Sequence, residues 1–166
     1  MSAAVASPVP AAELERRATA HQKEILAANV RLTSGPTSRL QLQSIAPTGF
    51  KGARLTGAHV TFTYTVDPSD CNSWGSIHGG CVFTIFNVAG KIATAVVAPG
   101  ARNIVSSDLT TNYLAPVMAA STATVRIECL KTTRSIGFLR GTITDASGAV
   151  CYISVQNVSF DIAETL

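Results

Sequence analysis

Charge is scarce in this 166-residue chain: Asp, Glu, Lys and Arg together make up 14% of it, and the formal net charge is +3. No run of Lys or Arg exceeds the pair Arg16-Arg17, so the electrostatic footprint of a duplex-binding protein is missing, and nucleic acid is not an expected partner. Cysteine is also sparse. Cys71, Cys81, Cys129 and Cys151 form no C-x-x-C pair and have no histidine at zinc-finger spacing, which excludes the usual zinc modules and leaves no metal site to assign. With no apolar signal segment ahead of them they read as reduced packing thiols. The expected location is cytoplasmic, with a mitochondrial matrix role as the other option. Long apolar runs are lacking too, since Lys91 interrupts the longest one, so no membrane span is expected.

What the chain does have is apolar residues, at 46%. For one domain of this size that composition leaves apolar surface uncovered, and subunit contacts are the expected place for it. Residues 1–10 are rich in Ala, Pro and Ser and read as disordered, with a single domain over 11–166. A helix is predicted from Ala11 to Leu32, with Leu14, Ala18, Ile25, Leu26 and Val30 loosely at helical spacing and Ser34-Gly35-Pro36 closing it. Leu40 and Leu42 alternate with Gln41 and Gln43 in a first strand, Pro47-Thr48-Gly49 reads as a turn, and Ala58–Val66 alternates again. A long helix is predicted from about Gly79 to Val97, stopped by Pro99-Gly100. Four strand-like segments follow, Ile104–Leu114, Ala123–Lys131, Ser135–Asp145 and Ala149–Asp161. Helix, two strands, long helix and four strands make an α+β domain in which one antiparallel sheet wraps the central helix.

The chemistry concentrates at the start of that central helix. Gly79-Gly80 would present unpaired backbone N–H groups at the positive end of the helix dipole, with no side chain to block approach. Paired glycines there serve equally well as a tight turn. His78 can donate to a carbonyl or fix the loop, and Asn72 and Ser76 can bond a ligand or form turns. His59 and His21 read as surface residues.

Together Asn72, Gly75, His78, Gly79, Gly80 and the long apolar helix resemble the hotdog-fold acyl-CoA thioesterases, in the branch of the phenylacetate-pathway enzymes and thioesterase superfamily member 2. Val105-Ser106-Ser107-Asp108-Leu109-Thr110-Thr111-Asn112-Tyr113-Leu114-Ala115-Pro116 resembles the strand that follows the helix in that family. The resemblance implies a hotdog fold and hydrolysis of an acyl-CoA thioester, with coenzyme A entering as part of the substrate and no separate cofactor. It makes Gly79 the backbone oxyanion donor, with Gly80 beside it. His78 and Asn72 orient the thioester or a water, and Ser106 assists from the facing strand. Lys131 and Arg134 are the cations expected near the nucleotide, with Arg140 and Arg102 as further candidates. Phe83, with Phe86 and Trp74, is expected at the acyl group.

One position departs from the pattern. The family places an Asp or Glu nine residues after the histidine, and here that residue is Asn87. An amide at neutral pH neither attacks a thioester carbonyl nor takes a proton from water. Three readings stay open: a binder or slow hydrolase, another carboxylate acting in its place (Asp108, expected on the Ser106 face, or Asp70), or an engineered replacement. A hotdog dehydratase is the other enzyme class and needs the same carboxylate. Gly79 and position 87 are about eight residues apart, hence about 12 Å along a helix, too far to serve one carbonyl from one chain. Two antiparallel helices about a two-fold axis would solve this, so a homodimer with sites at the subunit interface is expected; the resemblance implies the same arrangement, with dimers commonly pairing into a homotetramer, a dimer of dimers.

Overall fold

The computed structural model describes residues 9–28, 35–51 and 54–162. Helix α1 (Ala11–Ala28) is followed by strands β1 (Leu40–Lys51) and β2 (Arg54–Thr65), helix α2 (Gly79–Val97), then β3 (Ala101–Tyr113), β4 (Thr122–Thr132), β5 (Ile136–Thr144) and β6 (Val150–Ile162). All strand pairs are antiparallel and form one six-stranded sheet in the order β1-β2-β4-β5-β6-β3. This is the α+β hotdog arrangement, with the extra N-terminal helix lying against α2 and β1.

Helix α2 forms because its 19 residues carry an apolar surface around most of the circumference. Val82, Ile85, Phe86, Ala89, Ile92, Ala93 and Val96 are all fully buried, facing the alternating inner positions of the sheet such as Val60, Phe62, Val125, Ile127 and Leu139. By length and hydropathy α2 is apolar enough to cross a membrane, but 67% of its most apolar window is buried in the protein, which makes it a core helix. Leu14 and Ala18 of α1 join the same core, and Val9 packs against it. Residues 1–8, and with them most of the expected disordered segment, lie outside the described residues, as do Val30–Leu32 at the end of the expected first helix and the side chains of Ile25 and Leu26.

Two expectations are corrected. Pro47-Thr48-Gly49 is not a turn: it lies within β1, where register shifts at Pro47/Gly49 and Gly49/Phe50 absorb it, and the chain reverses between Lys51 and Arg54. A proline is tolerable there because β1 is an edge strand. Asp108 does not share the Ser106 face. A register shift between Ser106 and Asp108 breaks the alternation of β3, leaving Ser106 half-buried while Ser107 and Asp108 are both exposed.

Candidate active site

The loop between β2 and α2 is shaped by its own side chains. Asp67 Oδ1 accepts from the Ser69 N–H at 2.8 Å and opens the short 3-10 turn Pro68–Asp70. The Asp70 carboxylate is buried and accepts from Arg39 Nη1 at 2.6 Å and from the Tyr64 hydroxyl. Burial, reinforced by that carboxylate, pushes the Tyr64 phenol well above its ordinary range. The Asp70 backbone carbonyl then accepts from the His78 N–H at 2.8 Å, fixing where α2 begins. Asp70 is therefore held as a structural anion and is removed as a substitute base.

Asn72 is turned inward on the same loop. Its Oδ1 accepts from the N–H groups of Trp74 at 2.9 Å and Ser76 at 3.3 Å, and its Nδ2 donates to Ser76 Oγ at 3.0 Å. The turn it closes needs a left-handed residue, which Gly75 supplies at φ 77°. Among the described residues, then, Asn72 organises the loop.

At the helix start, His78 is the N-cap: its Nδ1 accepts from the Gly80 N–H at 3.0 Å, so a neutral ring carries its proton on Nε2. The N–H groups of Cys81 and Val82 go to the His78 carbonyl at 2.9 and 3.1 Å. The Gly79 N–H alone of these first four has no hydrogen-bond partner among the described residues. Tyr113 of β3 donates its hydroxyl to the Gly79 carbonyl at 2.9 Å and so anchors this peptide from the far side. A Cβ at Gly79 would meet only the Tyr113 ring, at 3.5 Å, so the glycine leaves open approach rather than relieving a clash. The arrangement can donate one hydrogen bond to an incoming oxygen in the positive field of a helix terminus.

Two turns along α2, Asn87 Oδ1 accepts from the Ser106 hydroxyl at 2.6 Å. Behind Ser106 stands Gln156, which is 1% exposed and donates its Nε2 to Ser106 Oγ at 2.7 Å. Gln156 fits against α2 only because residue 90 is glycine: a Cβ there would stand 1.9 Å from the Gln156 Oε1. The chain Gln156, Ser106, Asn87 fixes the amide with its oxygen toward the serine, which leaves Nδ2 without a partner among the described residues. Gln156 and Gly90 were absent from the sequence-based candidates. The signal was a glutamine at an inward position of β6, legible only once the strand register was known.

The other predicted site residues scatter. Phe83 is 42% exposed and Trp74 is 84% exposed, but Phe86 is fully buried and packs on Gly141, so it belongs to the core and not to an acyl pocket. Lys131 and Arg134 are exposed near the β4–β5 turn. Arg134 lines a groove of about 590 Å³ with Arg54, Ser135 and Asp161, beside Ala98 and Pro99 at the far end of α2. Arg140 is withdrawn as a free cation because it pairs with Glu128 at 2.6 Å on the outer face of the sheet. His59 meets the same glutamate at 3.3 Å and is half-buried in that row. Arg102 is exposed. All four cysteines are free, and burial pushes the Cys129 thiol up to about 12, in keeping with packing roles. Among the described residues no three His, Cys, Asp or Glu side chains converge as a metal site would require.

Comparison with known proteins points the same way. Residues 75–152 match the model of the Thioesterase superfamily, a stretch that includes His78, Gly79, Asn87 and Ser106. No curated protein matches the sequence. Among solved structures, thioesterase superfamily member 2 from Mus musculus is similar with a TM-score of 0.67 and 19% identity, over 96% of this chain and 98% of that one. The E. coli PaaI protein from the phenylacetic acid degradation operon gives 0.68 and 17%, over 89% and 95%. A hypothetical thioesterase from Streptococcus pneumoniae, solved with coenzyme A, gives 0.69 and 17%, over 87% and 99%. The resemblance to the hotdog-fold thioesterases read from the sequence thus holds, for the fold over most of the chain and for the superfamily pattern over its central part.

Proposed function

We propose that this hotdog chain, matching the thioesterase superfamily across its central helix, binds acyl-CoA thioesters and hydrolyses them slowly, for lack of a carboxylate at position 87. The Asn87 amide, held at 2.6 Å by Ser106, is the observation that carries the reading. It occupies the place and shape of an Asp while offering no basic lone pair. The coenzyme A in the Streptococcus pneumoniae structure supports the ligand class.

The site forms between two chains. Position 87 stands about 12 Å along α2 from Gly79, so a thioester carbonyl held by the Gly79 N–H needs the Asn87 of a second subunit. Antiparallel pairing of two central helices provides it twice, once at each end of the two-fold. The face of α2 bearing Gly80, Phe83, Thr84 and Asn87 is exposed or half-buried in the single chain, as a surface awaiting a partner would be. In this assembly Gly79 polarises the carbonyl and His78 holds the helix end rigid. Ser106 and Asn87 position a water without deprotonating it. Arg134, with Arg54 across the groove, offers cations for the phosphates.

The test is to follow binding and free thiol release together over a panel of acyl-CoA esters, for the native chain, Asn87→Asp and Asn87→Ala. Binding with slow release is expected from the native chain, and Asn87→Asp should gain about 10²- to 10⁴-fold in release, the usual contribution of a general base. Failure of both native and Asp forms to bind any acyl-CoA would overturn the proposal. So would rapid turnover by the native chain that Asn87→Ala retains.

A further inference from the structure

Lys91 is the one charged residue in the whole of α2. It lies four residues after Asn87, on the same face and one turn away, about 6 Å further along the helix. It is half-buried, and no carboxylate among the described residues lies within ion-pair distance of it. Among the described acids, Glu13 pairs with Arg16 and Arg17, Asp70 with Arg39 and Tyr64, Glu128 with Arg140 and His59, and Asp161 accepts from Asn103.

A partly desolvated ammonium without a counter-ion is costly, and burial accordingly holds the Lys91 pKa below its ordinary value with no neighbouring anion to lift it. The residue best placed to neutralise it is position 87, since an acid four residues before a lysine is the favourable helical order. That position holds an amide. Where a carboxylate at 87 would give this face a balanced pair, the Asn87 and Lys91 combination leaves it with a net positive charge, which the two-fold pairing proposed above sets toward the second subunit's helix terminus that receives the thioester.

We infer that Lys91 receives a carboxylate on the acyl group, so that the preferred ligands are CoA thioesters of dicarboxylic acids. The inference rests on the acyl-CoA reading above and names its substrate class. With the thioester carbonyl at position 87, a second carboxylate about 6 Å further on suits a chain of about six carbons. A charge-assisted bond to the ammonium then offsets the desolvation of Lys91.

Calorimetric titration of the intact protein with adipoyl-CoA and hexanoyl-CoA, equal in carbon number and differing in the terminal carboxylate, provides the test. Native protein should bind adipoyl-CoA at least about tenfold more tightly, a difference of about 1.4 kcal/mol. Lys91→Met should remove that preference while changing hexanoyl-CoA affinity by no more than about twofold, and Lys91→Arg should keep part of it. Thermal melts of each variant establish that it is folded. Equal affinity for the two ligands in native protein overturns the inference, as does a preference that survives Lys91→Met. Equal weakening of both ligands in folded Lys91→Met also overturns it, because the lysine would then act on the CoA portion they share. If native protein binds neither ligand, the acyl-CoA reading itself fails and the inference falls with it, an outcome distinct from binding without preference.

Discussion

Two small polar clusters flank the beginning and middle of α2, and they are built on opposite plans. The first is ionic: the buried Asp70 carboxylate takes a guanidinium from Arg39 and a hydroxyl from Tyr64. The second is neutral: the Asn87 amide takes the Ser106 hydroxyl, with Gln156 behind it. Reactive chemistry would want the opposite assignment, a carboxylate on the helix face and neutral groups in the loop. The fold places its buried anion where two partners can hold it and where it pins the loop that delivers Gly79. The contrast teaches that a carboxylate near a helix terminus is no evidence of a base until its partners are known.

The largest effect should come from breaking the ionic cluster. Asp70→Ala strands Arg39 and Tyr64 and should cost about 3–5 kcal/mol in urea unfolding, the range for removing one partner of a buried pair. Gly90→Ala comes next. Its new methyl meets Gln156 and should cost about 1–3 kcal/mol, and most of that loss should disappear in the Gln156→Ala background, a coupling that a double-mutant cycle measures. His78→Ala removes the cap on the Gly80 N–H and should lower stability by about 1 kcal/mol. Asn87→Ala removes one neutral hydrogen bond and should cost about the same or less. If Asn87→Ala proved as damaging as Asp70→Ala, the distinction between a structural anion and a dispensable amide would be lost.

Alkaline pH separates the clusters without mutation. Burial, followed by the hydrogen bond to Asp70, raises the Tyr64 pKa above its ordinary 10.0. The folded state therefore keeps the phenolic proton after the unfolded state has lost it. The stability this contributes is fully present below pH 10.0 and falls away as pH rises beyond it. Denaturation curves above pH 10 should show that decline in the native chain and a shallower one in Tyr64→Phe, while the neutral cluster around Asn87 adds nothing to it.

The long helix was legible to the residue because three local signals agreed: glycines at its start, an apolar stripe, and Pro99-Gly100 at its end. The strands after it were found because alternation and turn residues also agreed. The sequence reading failed where a tertiary circumstance overrode a local one. Pro47-Thr48-Gly49 has turn chemistry, yet an edge position let it stay in a strand. Asp108 is two residues from Ser106, but a bulge between them cancels the period on which the shared face depended. Gln156 carried no local mark at all. It matters only because β6 lies between β5 and β3, across from Gly90, and that neighbourhood exists in the folded sheet alone.

The proline in β1 has a consequence beyond its own strand. Of the two borders of the sheet, the β1 border lacks a donor at Pro47 and is bulged as far as Phe50, while the β3 border, bulged in its first half, runs regularly from Leu109 to Tyr113. A ribbon that can be extended on one side only is self-terminating. Two such chains joined side to side through β3 would leave only blunt margins, and growth into a filament would have nowhere to continue.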